Sequence, residues 1–310
     1  MIYEAAATTM ATMDPELEAL IPHLPVIDLT DPLAARKLLA ELAGLRPAPD
    51  TTGLQIEDRT VPAEPPVPVR IYRPHHARGA IVWMHGGGGI MGNLDTEHPW
   101  AARIAATSGA VVISVDYRLA PEHRFPAARD DVYAVLTWTA DHAAELGVDP
   151  ARIAIGGHSA GATIAAAVAL YARDQYGPPI RFQLLSQPSI DDRQQTWSQR
   201  HFTDTPWHDR HSNAAGWRHF LGSEQATQYA APGRATDLSG LPPAYIATAE
   251  FDPVRDEAIE YGLRLLQAGV SVELHQWPGT FHGSHTILSA EVSQRQFAEL
   301  GATLRRALKD

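Results

Sequence analysis

Between Gln55 and Trp277 short apolar runs recur along the chain, most followed by a stretch in which apolar positions return every three or four residues. The first two runs, QIEDRTV and VPVRIYRP, alternate apolar and polar residues, which predicts a pair of antiparallel strands. The later runs AIVWMH, AVVISVD, RIAIGG, RFQLLS, AYIATA and SVELHQW are mostly more continuously apolar, as expected of strands covered on both faces. Strands alternating with amphipathic helices predict an α/β fold with a mostly parallel central sheet flanked by helices. Ligands of such sheets bind at the C-terminal ends of the strands.

The rhythm is missing in two places. Residues 1–50 show no strand pattern, and two short helices are expected there, around Asp14 to Leu20 and Pro32 to Ala43. Residues 191–222 form a polar, aromatic-rich insertion whose end reads as a helix. The two segments are expected to join as a lid over the active end of the sheet, leaving 51–190 and 223–310 as the main domain.

Composition narrows the function classes. The chain has 310 residues, 45% hydrophobic and 20% charged, which suits one large α/β domain with a small appendage. It has no cysteine, so disulfides, thiolate zinc sites and cysteine nucleophiles are excluded. A formal net charge of -11 argues against a nucleic-acid partner, whose phosphates need lysine and arginine. The longest apolar run, Thr163 to Ala172, is far short of the roughly 20 residues of a membrane-spanning helix. The first twenty residues lack the basic and apolar regions of a secretory leader, so a cytoplasmic location is expected.

The candidate chemistry lies where strands end. Gly157, Ser159 and Gly161 make G-x-S-x-G between the strand RIAIG and the helix pattern ATIAAAVALYARD. That setting fits a nucleophile elbow, in which a sharp turn lifts the serine oxygen above the sheet. Directly after AIVWM comes HGGGG, residues 85–89, whose backbone N–H groups can aim at the oxygen that turns negative when an ester carbonyl is attacked. One such donor is typically worth about 3 kcal/mol in the transition state. A serine nucleophile needs a base and an orienting acid, in the chain order Ser, Asp or Glu, His. Asp252 is the favoured acid over Glu250 and Asp256, and His282 the favoured base over His285 and His275, because a loop at a strand's C-terminal end reaches over the sheet.

With HGGGG at 85–89, DYRLAPEHRFPAA at 116–128, GHSAG at 157–161, EFDPVRDE at 250–257 and FHG at 281–283, the chain resembles the bacterial hormone-sensitive-lipase-like esterases of the α/β-hydrolase superfamily. The resemblance implies an α/β-hydrolase fold with a helical cap, built from residues 1–50 and 191–222 around the catalytic domain. It implies a triad of Ser159, Asp252 and His282, with oxyanion donors from Gly86, Gly87 and Ala160. The implied activity is carboxylic-ester hydrolysis on short- to medium-chain acyl groups, with a small-molecule ester as partner, no cofactor and no metal. A ligand-binding receptor on the same fold, or amidase or dehydratase chemistry at the same site, are the alternatives, and a homodimer is left open.

Two positions depart from the family pattern. His158 stands where the commonest pentapeptide GDSAG has aspartate, and Arg124 replaces a proline. In a nucleophile elbow the neighbours of the serine point away from it, so His158 is not expected to be its base. Asp116, Tyr117, Arg118 and Glu122 are expected to form a buried ion-pair scaffold under the oxyanion loop. His201, His208, His211 and His219 are expected to be solvated cap residues rather than metal ligands. Trp197, Phe202, Trp207 and Trp217 suit either an acyl pocket or ordinary lid packing.

Overall fold

The computed structural model describes residues 12–77 and 79–309. The first eleven residues of the expected cap, and of the segment read for a leader, lie outside the described residues. In chain order the elements are α1 (Pro15–Glu18), α2 (Pro32–Gly44), β1 (Leu54–Val61), β2 (Val67–Pro74), β3 (Ala80–Met84), α3 (Leu94–Ser108), β4 (Val111–Val115), α4 (Ala127–Asp141), α5 (Ala143–Leu146), β5 (Ile153–His158), α6 (Ala160–Asp174), β6 (Phe182–Ser186), α7 (Trp197–His201), α8 (Arg210–Leu221), β7 (Ala244–Phe251), α9 (Arg255–Gln267), β8 (Val272–Phe281) and α10 (Glu291–Ala307).

The eight strands form one sheet in the order β1-β2-β4-β3-β5-β6-β7-β8. Strand β2 runs antiparallel to β1 and β4, and every other pairing is parallel. Each expected strand is present. The strand period of two decides which core each residue joins. In β3, Ala80, Val82 and Met84 pack with Val135 and Leu136 of α4 and Ile164 and Val168 of α6. Ile81 and Trp83 point the other way, to Ile104 and Ala105 of α3 and Leu300 and Leu304 of α10. A strand buried on both faces has no polar side to show, which is why these runs are almost wholly apolar.

Helix ends follow local chemistry. Asn93 caps α3 by accepting the N–H groups of Asp95 and Thr96, while Thr96 Oγ1 accepts the Asn93 N–H, a reciprocal capping box. Asp31 caps α2 with Pro32 in its first turn, and Asp209 caps α8. The N-terminal helices match expectation in place. The insertion holds a short helix, α7, which its polar sequence did not reveal, before the expected α8. Arg36 ties α2 to the sheet's active end, donating to Ile90 O at 2.6 Å, to Ala120 O at 2.8 Å and to both oxygens of Glu122. Among the described residues no helix is long and apolar enough to cross a membrane.

Candidate active site

Ser159 occupies the one-residue turn between β5 and α6 with φ 53°, a left-handed value that costs a non-glycine residue about 1–3 kcal/mol and persists only where its surroundings enforce it. The enforcement is local. The Ser159 N–H donates to Ser186 O at the end of β6, 2.8 Å away. A Cβ on Gly157 or Gly161 would run into the carbonyl of Met84, so only glycine lets the strand and the helix pass this close.

Three side chains from three chain segments meet here. His282, directly after β8, places Nε2 2.8 Å from Ser159 Oγ and Nδ1 2.7 Å from Asp252 Oδ2. Asp252, directly after β7, is 0% exposed, and its other oxygen accepts the Val254 N–H at 3.0 Å. A carboxylate only accepts, so Nδ1 carries the hydrogen and Nε2 offers its lone pair to the serine hydroxyl. The rivals are engaged elsewhere. Glu250 accepts the Gly279 N–H, Asp256 accepts the Ser198 N–H, and His275 pairs with Glu299. His285 is buried edge-on to His158, and burial together with the facing His158 and His282 depresses its pKa well below the ordinary value.

The glycine loop after β3 corrects one expectation. The Gly86 N–H, counted among the oxyanion donors, points instead at His158 Nε2, 3.1 Å away. The N–H groups of Gly87, Gly88 and Ala160 carry no hydrogen bond among the described residues. Gly87 and Gly88 have φ 112° and 63°, which side-chain-bearing residues rarely adopt. Beneath the loop, Tyr117 stacks on His85 at 4.2 Å between ring centroids and donates to His85 O at 2.8 Å. Burial pushes the His85 pKa down to about 4, so the ring is neutral. The scaffold expected here is only partly an ion-pair network. Arg118 does pair with the buried Asp131 at 2.8 Å, whereas Glu122 is 49% exposed and faces Arg36.

Two cavities open on Ser159. The larger, about 170 Å³, is walled by His282, Gly283, His285 and Trp207 on one side and by Leu29, Leu39 and Leu42 of the N-terminal segment on the other. The smaller, about 40 Å³, lies between Thr163 and Ile164 of α6 and Gly216, Trp217 and Phe220 of α8. Gly88, Ser159 and His208 belong to both. Its wall is pinned: Trp217 Nε1 donates to Ser189 Oγ, which donates to Asn213 Oδ1. The four insertion aromatics therefore divide. Trp217 and Trp207 line the two cavities, whereas Trp197 is 55% exposed and Phe202 packs on Phe251.

His208 corrects a second expectation, because it is buried rather than solvated, with its ring 4.3 Å from that of His282. Burial, and then the facing His282, lower its pKa to about 3. No sequence signal marked it, since a lone histidine in a polar insertion reads as surface. Gly88 was legible within HGGGG, but the run alone does not say which of its glycines is spent on support. Glu97, from α3, is a buried carboxyl beside His158 that sequence reasoning passed over.

Comparison with known proteins gives a consistent picture. A family model described as alpha/beta hydrolase fold matches residues 81–286. Carboxylesterase NlhH of Mycobacterium tuberculosis is 42% identical over 283 residues, covering 87% of this chain and 88% of its own length. An arylesterase of Saccharolobus solfataricus is 32% identical, over 88% of this chain and 89% of its own length. Among solved structures, a bacterial heroin esterase superposes with a TM-score of 0.91 at 43% identity, covering 96% of this chain and 99% of that one.

Proposed function

The chain belongs to the α/β-hydrolase-fold esterases related to hormone-sensitive lipase, and from that premise we propose that it hydrolyses carboxylic esters through an acyl-enzyme on Ser159. The observation that carries the reading is the unbroken chain from Ser159 Oγ through His282 to Asp252, at 2.8 and 2.7 Å. His282 Nε2 takes the serine proton as Oγ attacks the carbonyl carbon, and Asp252 stabilises the imidazolium that forms. The carbonyl oxygen, now negative, is held by the N–H groups of Gly87, Gly88 and Ala160. Collapse breaks the ester C–O bond while His282 returns the proton to the leaving alcohol oxygen. Water repeats the sequence on the acyl-enzyme, and no cofactor enters. A receptor on this fold has no need of a base in reach of a serine, so this geometry favours turnover.

The same proton transfer sorts the cavities. The leaving oxygen must lie within reach of His282 Nε2, and His282 lines only the larger cavity. The alcohol portion therefore sits in the roomy, mostly apolar space under α2, and the acyl portion in the small pocket beneath α8. We read residues 1–50 and 191–222 as the cap: Leu29, Leu39 and Leu42 of the first wall the larger cavity, while the second lines both, through Trp207 in the larger and Trp217 and Phe220 in the smaller. An acyl group of two to four carbons on a bulky alcohol is the preferred substrate class.

Two ester series test this. In one, acyl length rises from acetate to decanoate on a constant phenol; in the other, the alcohol grows on a constant acetate. A steep loss of kcat/KM along the first series and tolerance along the second support the reading. The opposite pattern reverses the cavity assignment, and no turnover of any ester removes the function. A cytoplasmic location and a homodimer remain proposals, to be checked by fractionation and by sedimentation of the purified chain.

A further inference from the structure

His158 precedes Ser159 directly and lines the larger cavity, yet its Nε2 is engaged with the glycine loop and α3 rather than with Ser159 Oγ. Its Nε2 lies 3.1 Å from the Gly86 N and 3.1 Å from Glu97 Oε2. The ring is stacked near Trp83, met edge-on by His285, and so close to Gly86 that a Cβ there would press on its Cε1 and Nδ1 at 3.0 Å. Glu97, on α3, is almost wholly buried and accepts the Trp83 Nε1–H at 2.6 Å through its other oxygen. Burial pushes the Glu97 carboxyl up, but His158 and the Trp83 N–H outweigh it, and the group lies below its ordinary pKa.

We propose that Glu97 and His158 form a strut that positions the oxyanion loop, with His158 holding the Gly86 peptide so that the next N–H groups face the substrate. The proposal rests on the esterase reading above. His158 touches no reacting atom and is a positioning residue. A single nitrogen cannot accept the Gly86 N–H and donate to Glu97 at the same moment, so the imidazole serves the two partners in alternation. Glutamine carries an acceptor and a donor on separate atoms and can serve both together. Aspartate, which the commoner GDSAG pentapeptide carries, would set a second carboxylate against the buried Glu97.

The test compares His158→Ala, His158→Gln, His158→Asp and the double variant Glu97→Gln/His158→Asp with the intact enzyme. It measures kcat and KM for a short-chain aryl ester, the inhibition constant of a trifluoromethyl ketone, and the melting temperature. His158→Ala is expected to lower kcat by about 10- to 100-fold at nearly constant KM, and to weaken the ketone in proportion, because the loss falls on transition-state stabilisation. His158→Gln should recover most of it. His158→Asp should fall below His158→Ala, and removing the Glu97 charge should rescue it. Unchanged kcat in folded His158→Ala, a change in KM alone, or glutamine no better than alanine overturns the strut. If alanine prevents folding, the aspartate single and double variants decide the matter by the same rescue. Turnover by the intact enzyme together with loss in Ser159→Ala tests the esterase reading separately, so failure of the strut leaves that reading standing.

Discussion

His208 lies over His282 with ring centroids 4.3 Å apart and 33° between the planes. The histidine that reaches Ser159 thus shares its pocket with a second, neutral imidazole. In the proposed turnover His282 becomes a cation, and its neighbour must stay uncharged. A unit charge at about 4 Å costs about 4 kcal/mol at an intermediate dielectric. His208→Arg is therefore expected to lower kcat by up to about three orders of magnitude. His208→Phe, which keeps the packing without the charge, should stay within about tenfold. Steady-state kinetics on folded protein, judged by circular dichroism, separates the two outcomes.

Stability should fall in acid because of three buried histidines. His85 is depressed to about 4, His208 to about 3 and His285 well below its ordinary value, in each case mainly by burial. Each binds a proton in the unfolded chain below about pH 6.5 but not in the folded one until its lowered pKa is reached. The unfolded state therefore holds more protons in this window, and stability drops as pH falls from about 6.5 towards 4. With three groups the slope reaches up to about 4 kcal/mol per pH unit. Urea unfolding at stepped pH measures it, and stability that is flat across the window contradicts the neutral assignment.

The elbow glycines should be far less replaceable than glycines that serve only an unusual backbone angle. A Cβ at Gly161 meets the carbonyls of Met84 and His85, whereas one at Gly109, the left-handed cap of α3, has nothing within 4 Å. Gly109→Ala is expected to cost about 1 kcal/mol, from conformation alone. Gly161→Ala, at an ordinary helical angle, instead makes a backbone clash and should cost about 3 kcal/mol or more and lower kcat as the turn shifts. Equal losses at the two sites in denaturant titrations would refute the close-approach account.

Acyl preference should follow the wall beneath α8. Phe220 lines the small cavity without entering the Ser159–His282–Asp252 chain. Phe220→Ala is expected to move the acyl-length optimum upward by two or more carbons, while tolerance of the alcohol portion is unchanged. The substitution also removes packing worth about 3 kcal/mol, so assays belong at low temperature. An unchanged acyl profile would place the acyl group elsewhere.

Most of the fold was legible because its signals are local. The run AIVWM is apolar throughout because both faces of β3 are buried, and G-x-S-x-G reports a backbone approach that only glycine permits. Asp252 and His282 could be chosen because each directly follows a strand, and both lie where that reasoning put them. What escaped depends on pairs far apart in the chain. The turn of Gly86 towards His158 spans 72 residues, and the burial of His208 depends on the insertion folding back over His282. Neither has a periodicity or a spacing to betray it. Helix α7 escaped for a related reason, since its Ser198 is held by Asp256 and Pro253 from across the domain rather than by a pattern of its own.

The role of Ser159 is tested most directly by treating the protein with an activated p-nitrophenyl phosphonate ester and mapping the adduct by peptide mass spectrometry. The expected result is one phosphonyl group per chain, carried on Ser159, release of one p-nitrophenol, and loss of ester turnover in proportion to labelling, with no label on Ser159→Ala. Full turnover after complete labelling, an adduct on another residue, or Ser159→Ala hydrolysing esters at the rate of the intact protein would contradict it.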